Sequence, residues 1–109
     1  LRINSHSTMG PIALNTLSHF TNYKLFLGVD SFSFENGIST PNMEEAMLNQ
    51  AMISQASEVI LVFDSSKFNK RSFCHIAHCE QINTIVTDKS LPVGSATRLK
   101  EKNIQLLLA

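Results

Sequence analysis

The sequence predicts an α/β domain built on a mainly parallel sheet. Short apolar runs of strand length, rich in Val, Ile, Leu and Phe, alternate with stretches of helical periodicity. The runs have the near-continuous hydrophobicity of strands buried on both faces. The helical stretches between them are long enough to act as the crossovers that parallel strands require.

Taken in order, a first helix opens at Gly10 and Pro11, with Pro at the first helical position, and runs through Ala13, Leu14 and Leu17 to about Phe20. The strand "LFLGV" follows at 25–29. A second helix spans 43–57, where Leu48, Ala51, Met52 and Ala56 recur on one face. Asn42 as N-cap and Glu45 three residues on form a capping box at its start. Strands "EVILVF" (58–63) and, after a loop, "INTIVT" (82–87) come next. A third helix follows Pro92, uses Ala96 and Leu99, and ends near Asn103, ahead of the strand "IQLLLA" at 104–109. The order is α, β, α, β, loop, β, α, β, which argues for βαβ units.

A length of 109 residues is that of one modest domain. No apolar run approaches the roughly 20 residues of a membrane span. The nine Lys and Arg balance the nine Asp and Glu, so the summed charge offers no basic excess for nucleic acid. Two cysteines are too few for a secreted disulfide scaffold and no signal peptide precedes the chain, which makes the cytoplasm the expected compartment. The opening "LRINSHSTMG" begins on Leu and reads as a start in mid-domain, as in a processed piece or a fragment of a longer gene product.

In parallel sheets ligands bind beyond the carboxyl ends of the strands. "FLGVD" ends on Asp30 and "ILVFD" on Asp64, so both carboxylates are expected on one rim, with Lys67 three residues past the second. In "DSSK" the hydroxyls and N–H groups of Ser65 and Ser66 can serve an oxyanion, and Lys67 suits phosphate as a point charge; a solvated loop capped by Asp64 is the other reading. The second helix starts on the connection between the two acids, so its positive end is expected near the same rim. Gly28 permits close approach of the backbone to a neighbour or ligand, Gly37 permits a turn with positive φ, and Thr40 adds a donor at the helix start. Glu44 and Glu45 in that first turn disfavour phosphate there and suit sugar hydroxyls. "CHIAHC" (74–79) lacks the spacing of a compact zinc site and reads as strand and loop with a buried Cys. No Walker loop or GxGxxG fingerprint supports a nucleotide. No metal and no cofactor is expected.

The stretches "LFLGVDSFSFENGISTPNMEEAMLNQAMI", "ASEVILVFDSSKFNKRSFCHIA" and "INTIVTD" resemble the C-terminal half of the effector domain of DeoR-family transcriptional repressors, most of all those of N-acetylgalactosamine and related amino-sugar operons. The likeness covers almost the whole chain. It implies a Rossmann-like domain of the ribose-5-phosphate isomerase and CoA transferase type, of which residues 1–109 hold the second half only. It also implies a phosphorylated amino-sugar effector, a homo-oligomeric intact protein, no membrane partner, and operator binding through a winged helix-turn-helix absent from this chain. By that resemblance Asp30 faces the sugar, Thr40 stands at the helix start, Glu45 is the helix acid and Lys67 is the ligand-facing lysine, with Asp64 positioning that lysine and its loop. Ser31 replaces the glycine usual after the strand-end acid. Where the related isomerases carry a catalytic Glu, Asn49 or Gln50 stands here, and a neutral amide is no general base, so binding is favoured over catalysis. The rivals are a fragment of a sugar-phosphate isomerase and a remnant that associates through an exposed sheet edge.

Overall fold

Residues 2–3 and 23–109 are described in the computed structural model of the chain. In chain order the elements are β1 (Arg2–Ile3), β2 (Tyr23–Leu27), β3 (Ser31–Ser33), β4 (Gly37–Thr40), α1 (Met43–Gln55), β5 (Ala56–Val62), a 3-10 turn (Ser65–Lys67), β6 (Cys74–Ala77), a second 3-10 turn (Cys79–Gln81), β7 (Thr84–Thr87), α2 (Val93–Glu101) and β8 (Gln105–Leu108). The helix expected over residues 10–20 lies outside the described residues.

The apolar runs become a parallel sheet in the order β1-β2-β5-β7-β8. Its register puts Leu27 opposite Leu61, and Leu61 opposite Ile85. The centre of one face of this sheet is fully buried, with Leu25, Leu61 and Ile85 at 0% exposure. Burial on both faces, the sequence expectation, does not hold for β2, β5 and β8. Phe26, Val62 and Leu107, on the opposite side of the pleat, are 40–47% exposed. Right-handed crossovers that step in one direction across a parallel sheet deliver their helices to a single face, and β2, β5, β7 and β8 step that way.

The second helix is shorter than its sequence pattern. Asn42 caps it as expected, its Oδ1 accepting the Glu45 N–H at 2.9 Å. It stops at Gln55 because Ala56 is already extended and pairs with Tyr23 in β2. The buried positions are Ala46, Leu48, Asn49, Met52 and Ile53, a broader set than the stripe expected, while Ala51 and Ala56 are only half-buried. The breadth has a cause: α1 packs on β4 and β6 as well as on β2 and β5. Helix α2 closes at Asn103, whose φ of 61° is the left-handed cap conformation, with the Ile104 N–H returning to the Leu99 carbonyl at 3.0 Å.

A second sheet, antiparallel in the order β3-β4-β6, had no counterpart in the sequence expectation. It is fastened to the first by aromatic rings. Phe32 is fully buried, with ring centroids 5.3 Å from Phe34, 5.9 Å from Phe63 and 5.1 Å from Phe68. The hairpin between β3 and β4 turns at Gly37, with φ of 73°.

Candidate functional site

Three neighbouring strands, β2, β5 and β7, run out of apolar residues at equivalent heights. Asp30 lies three residues past Leu27, and Asp64 three past Leu61, its register partner; Asp88 lies two past Val86, and Asp64 two past Val62, its partner. Adjacent strands are about 4.8 Å apart, so the three residues follow neighbouring strand ends in a row along the carboxyl rim.

At one end of the row, the buried Thr40 hydroxyl donates to Asp30 Oδ2 at 3.0 Å. That bond ties the end of β2 to the start of α1, three residues before Met43, so the N-terminal turn with Glu44 and Glu45 stands beside Asp30. Asp30 and Thr40, both expected at the site, are brought together. Glu45 occupies the first turn as expected, its N–H held by Asn42. Ser31 is buried and its hydroxyl pairs with that of Ser72 at 2.6 Å. Gly28 is not used for close approach to this chain: a Cβ there would meet only the Val62 carbonyl oxygen, at 3.7 Å.

In the middle of the row, Asp64 caps the 3-10 turn that carries Lys67. Its Oδ1 accepts the Ser66 N–H at 3.0 Å and also the Ser66 hydroxyl. The Ser66 hydroxyl, above all, holds the Asp64 carboxyl below its ordinary value, assisted by that N–H and by the charge of Lys67 against desolvation and the repulsion of Asp88. Lys67 itself is half-buried, its N–H donating to the Asp64 carbonyl at 3.1 Å. Among the described residues its ammonium makes no ion pair. Asp64 thus holds the turn directly through Ser66 and reaches the lysine through charge.

Asp88 is the residue that the sequence reading missed. Its Oδ2 accepts the Ser65 N–H at 2.7 Å, and its Oδ1 the Ser65 hydroxyl at 2.8 Å and the Ser90 N–H at 2.9 Å. The Ser65 N–H is the foremost reason that its carboxyl is held below the ordinary range, with the Ser65 hydroxyl next. The signal was present: "TIVTD" is a third apolar run ending on Asp. These bonds also correct the expectation that Ser65 and Ser66 offer donors to an oxyanion, because the side-chain hydroxyls and N–H groups of both serines are already held by carboxylates.

The position considered for a catalytic Glu is occupied by neutral amides. Asn49 is 2% exposed with an unpartnered Nδ2, and Gln50 donates to the His75 carbonyl at 2.9 Å. Cys74 and Cys79 of "CHIAHC" are buried free thiols, and burial pushes the Cys79 thiol up. Among the described residues no group of three His, Cys, Asp or Glu could hold a metal. A cavity of about 400 Å³, bordered by Ser39, Arg71, Phe73 and His75, sits on the antiparallel sheet and includes none of the expected site residues. No helix among the described residues is long and apolar enough to cross a membrane.

What these features define is an α/β domain whose polar groups gather at the carboxyl ends of three parallel strands. The chain belongs to the DeoR C-terminal sensor domain family, which matches residues 1–89. It is 38% identical over 108 residues, 99% of its length, to a candidate aga operon transcriptional repressor of Escherichia coli O157:H7, and covers 40% of that protein. It is 32% identical to the HTH-type transcriptional regulator GlpR of Haloferax volcanii, covering 98% of this chain and 42% of the regulator. The HTH-type transcriptional repressor GlcR of Bacillus subtilis is 33% identical over 91% of this chain and 38% of its own length. The chain therefore spans about two fifths of the curated relatives that it matches. These relatives are transcription regulators, not enzymes, and a sensor domain implies a small-molecule effector.

Proposed function

We propose that the chain is the effector-binding C-terminal portion of a transcriptional repressor that responds to a phosphorylated amino sugar. In this reading it is the second half of a Rossmann-like domain of the ribose-5-phosphate isomerase and CoA transferase type. Operator DNA is read by a winged helix-turn-helix outside these residues, in a cytoplasmic homo-oligomer. The observation that carries the reading is the row of strand ends, with the Asp30–Thr40 pair at one end and Lys67 held on a capped turn beside it. Asp30 and Glu45 are suited to accept from sugar hydroxyls or an ammonium, Thr40 and Asp64 hold the framework, and Lys67 supplies the point charge for a phosphate. The aga operon named for one relative is consistent with an amino sugar. Effector binding controls DNA affinity only if the effector binds two conformations of the intact repressor unequally.

Titration calorimetry of the intact protein with glucosamine 6-phosphate tests the assignment. Lys67→Ala is expected to weaken binding by about tenfold or more, the scale of one charge-assisted hydrogen bond. Equal affinity in the two proteins would remove Lys67 from the site.

A further inference from the structure

The turn Asp64–Lys67 is pinned from three sides. Asp64 holds Ser66 from within the turn, and Asp88 holds Ser65 from the end of the neighbouring strand. Phe68, the next residue, donates its N–H to the Ser65 carbonyl at 3.2 Å and seats its ring against Phe32 and Phe63. With Ser65 and Ser66 both occupied, the turn presents one cationic group outward, the Lys67 ammonium. We propose that Asp88 is a positioning residue of the effector site: by taking both donors of Ser65 it fixes the turn that delivers Lys67 to the anionic end of the ligand. The inference rests on the effector reading of Lys67 given above.

The chemistry explains why an acid serves here. Ser65 offers two donors, an N–H and an O–H, separated by the width of one carboxylate, and Asp88 receives one on each oxygen. A carboxylate accepts at both oxygens, whereas an amide has one acceptor and turns its NH₂ against the other donor. The same bonds withdraw the serine donors from any oxyanion. A phosphate at this turn then meets the Lys67 ammonium rather than the serine donors, so the geometry of the turn sets how that charge is presented.

A double-mutant cycle on the intact protein tests this, with glucosamine 6-phosphate as probe and calorimetry as readout. Asp88→Asn is expected to weaken binding by about three- to tenfold. In the Lys67→Ala background the same change is expected to cost nothing further, because the group being positioned is gone. Ser65→Ala, which leaves Asp88 in place and removes one of the two bonds, is expected to show a smaller loss that also vanishes without Lys67. It serves as the second probe should Asp88→Asn fail to fold. Losses that simply add to that of Lys67→Ala, or undiminished affinity in both Asp88→Asn and Ser65→Ala, would overturn the positioning role. An unchanged affinity for Lys67→Ala alone would instead overturn the effector reading on which it stands.

Discussion

The two sheets place their polar groups in opposite ways. In the parallel sheet the strands are apolar on the buried face, and acids and hydroxyls are deferred to the carboxyl rim, where Asp30, Asp64 and Asp88 follow the ends of neighbouring strands. In the antiparallel sheet the polar groups lie inside the strands. Ser31, Ser33, Ser39 and Thr40 are all buried, and the serines bond within the sheet's own neighbourhood: Ser39 Oγ accepts the Ser72 N–H at 2.8 Å, and Ser31 pairs with the Ser72 hydroxyl. Buried hydroxyls satisfied in this way add fixed geometry without charge. The difference teaches a division of labour. The parallel sheet supplies titratable groups to a rim, and the small sheet, locked by uncharged bonds, buttresses that rim through Thr40 and the phenylalanine cluster.

The joint between the sheets is where the comparison is easiest to break. Phe32 comes from the antiparallel sheet, while Phe63 and Phe68 flank the turn that bears Lys67. Truncating Phe32 to Ala empties the centre of this cluster and is expected to cost about 3–5 kcal/mol, the usual range for a buried Phe. Urea unfolding measures it. A loss below about 1 kcal/mol would mean that the two sheets are not held together by these rings.

A glycine from each sheet sharpens the contrast. At Gly37 a Cβ would run into the Ala77 carbonyl of β6 and would have to adopt φ of 73°. The conformation alone costs an alanine roughly 1–2 kcal/mol, and the collision adds to it. Gly37→Ala is therefore expected to lose at least about 2 kcal/mol in the same experiment. Gly28→Ala, at the rim of the parallel sheet, meets only ordinary contact and is expected to stay within about 0.5 kcal/mol of wild type. Equal effects at the two positions would erase the distinction between a packed hairpin and an open rim.

The same contrast explains what could be read in the sequence. The four long apolar runs announced their strands because parallel strands with a covered face need uninterrupted Val, Ile and Leu. Of the antiparallel strands, "CHIA" was legible as strand with a buried Cys, whereas "SFS" and "GIST" announced nothing and the pairing of the three was not signalled. They are three or four residues long, two of them carry hydroxyls inward, and their hydrogen-bond partners lie up to 41 residues away. Periodicity cannot report such pairing. Helix α1 misled in a related way: its second layer of contacts is supplied by β4 and β6, so Ala46 and Ile53 became core without lying on the stripe expected. At the rim, Asp30 and Asp64 were legible as strand ends. Asp88 was overlooked because Thr87 closed the apolar run and the partner that gives Asp88 meaning, Ser65, is 23 residues away.

Acid offers the mildest probe of the two regions, and the sign follows from the rim's bonds. Asp64 and Asp88 have folded-state carboxyls held below the ordinary value of 3.8. A group depressed on folding contributes stability that is fully present above its unfolded value and is lost as pH falls through its folded one. The contribution is therefore intact above about pH 5 and fades from about pH 4 downward. The bonds of Ser31, Ser39 and Ser72 have no titrating partner, so these bonds give no such response of their own. Hydrogen exchange separates the two. Between about pH 6 and about pH 3, the protection factors of the Ser65 and Ser66 amides, which donate to Asp88 and Asp64, are expected to fall relative to that of Ser72, which donates to a neutral hydroxyl. A parallel fall at all three sites would show that acid opens the domain as a whole. Preferential loss at Ser65 and Ser66 would show instead that the turn presenting Lys67 depends on the charge of its two acids.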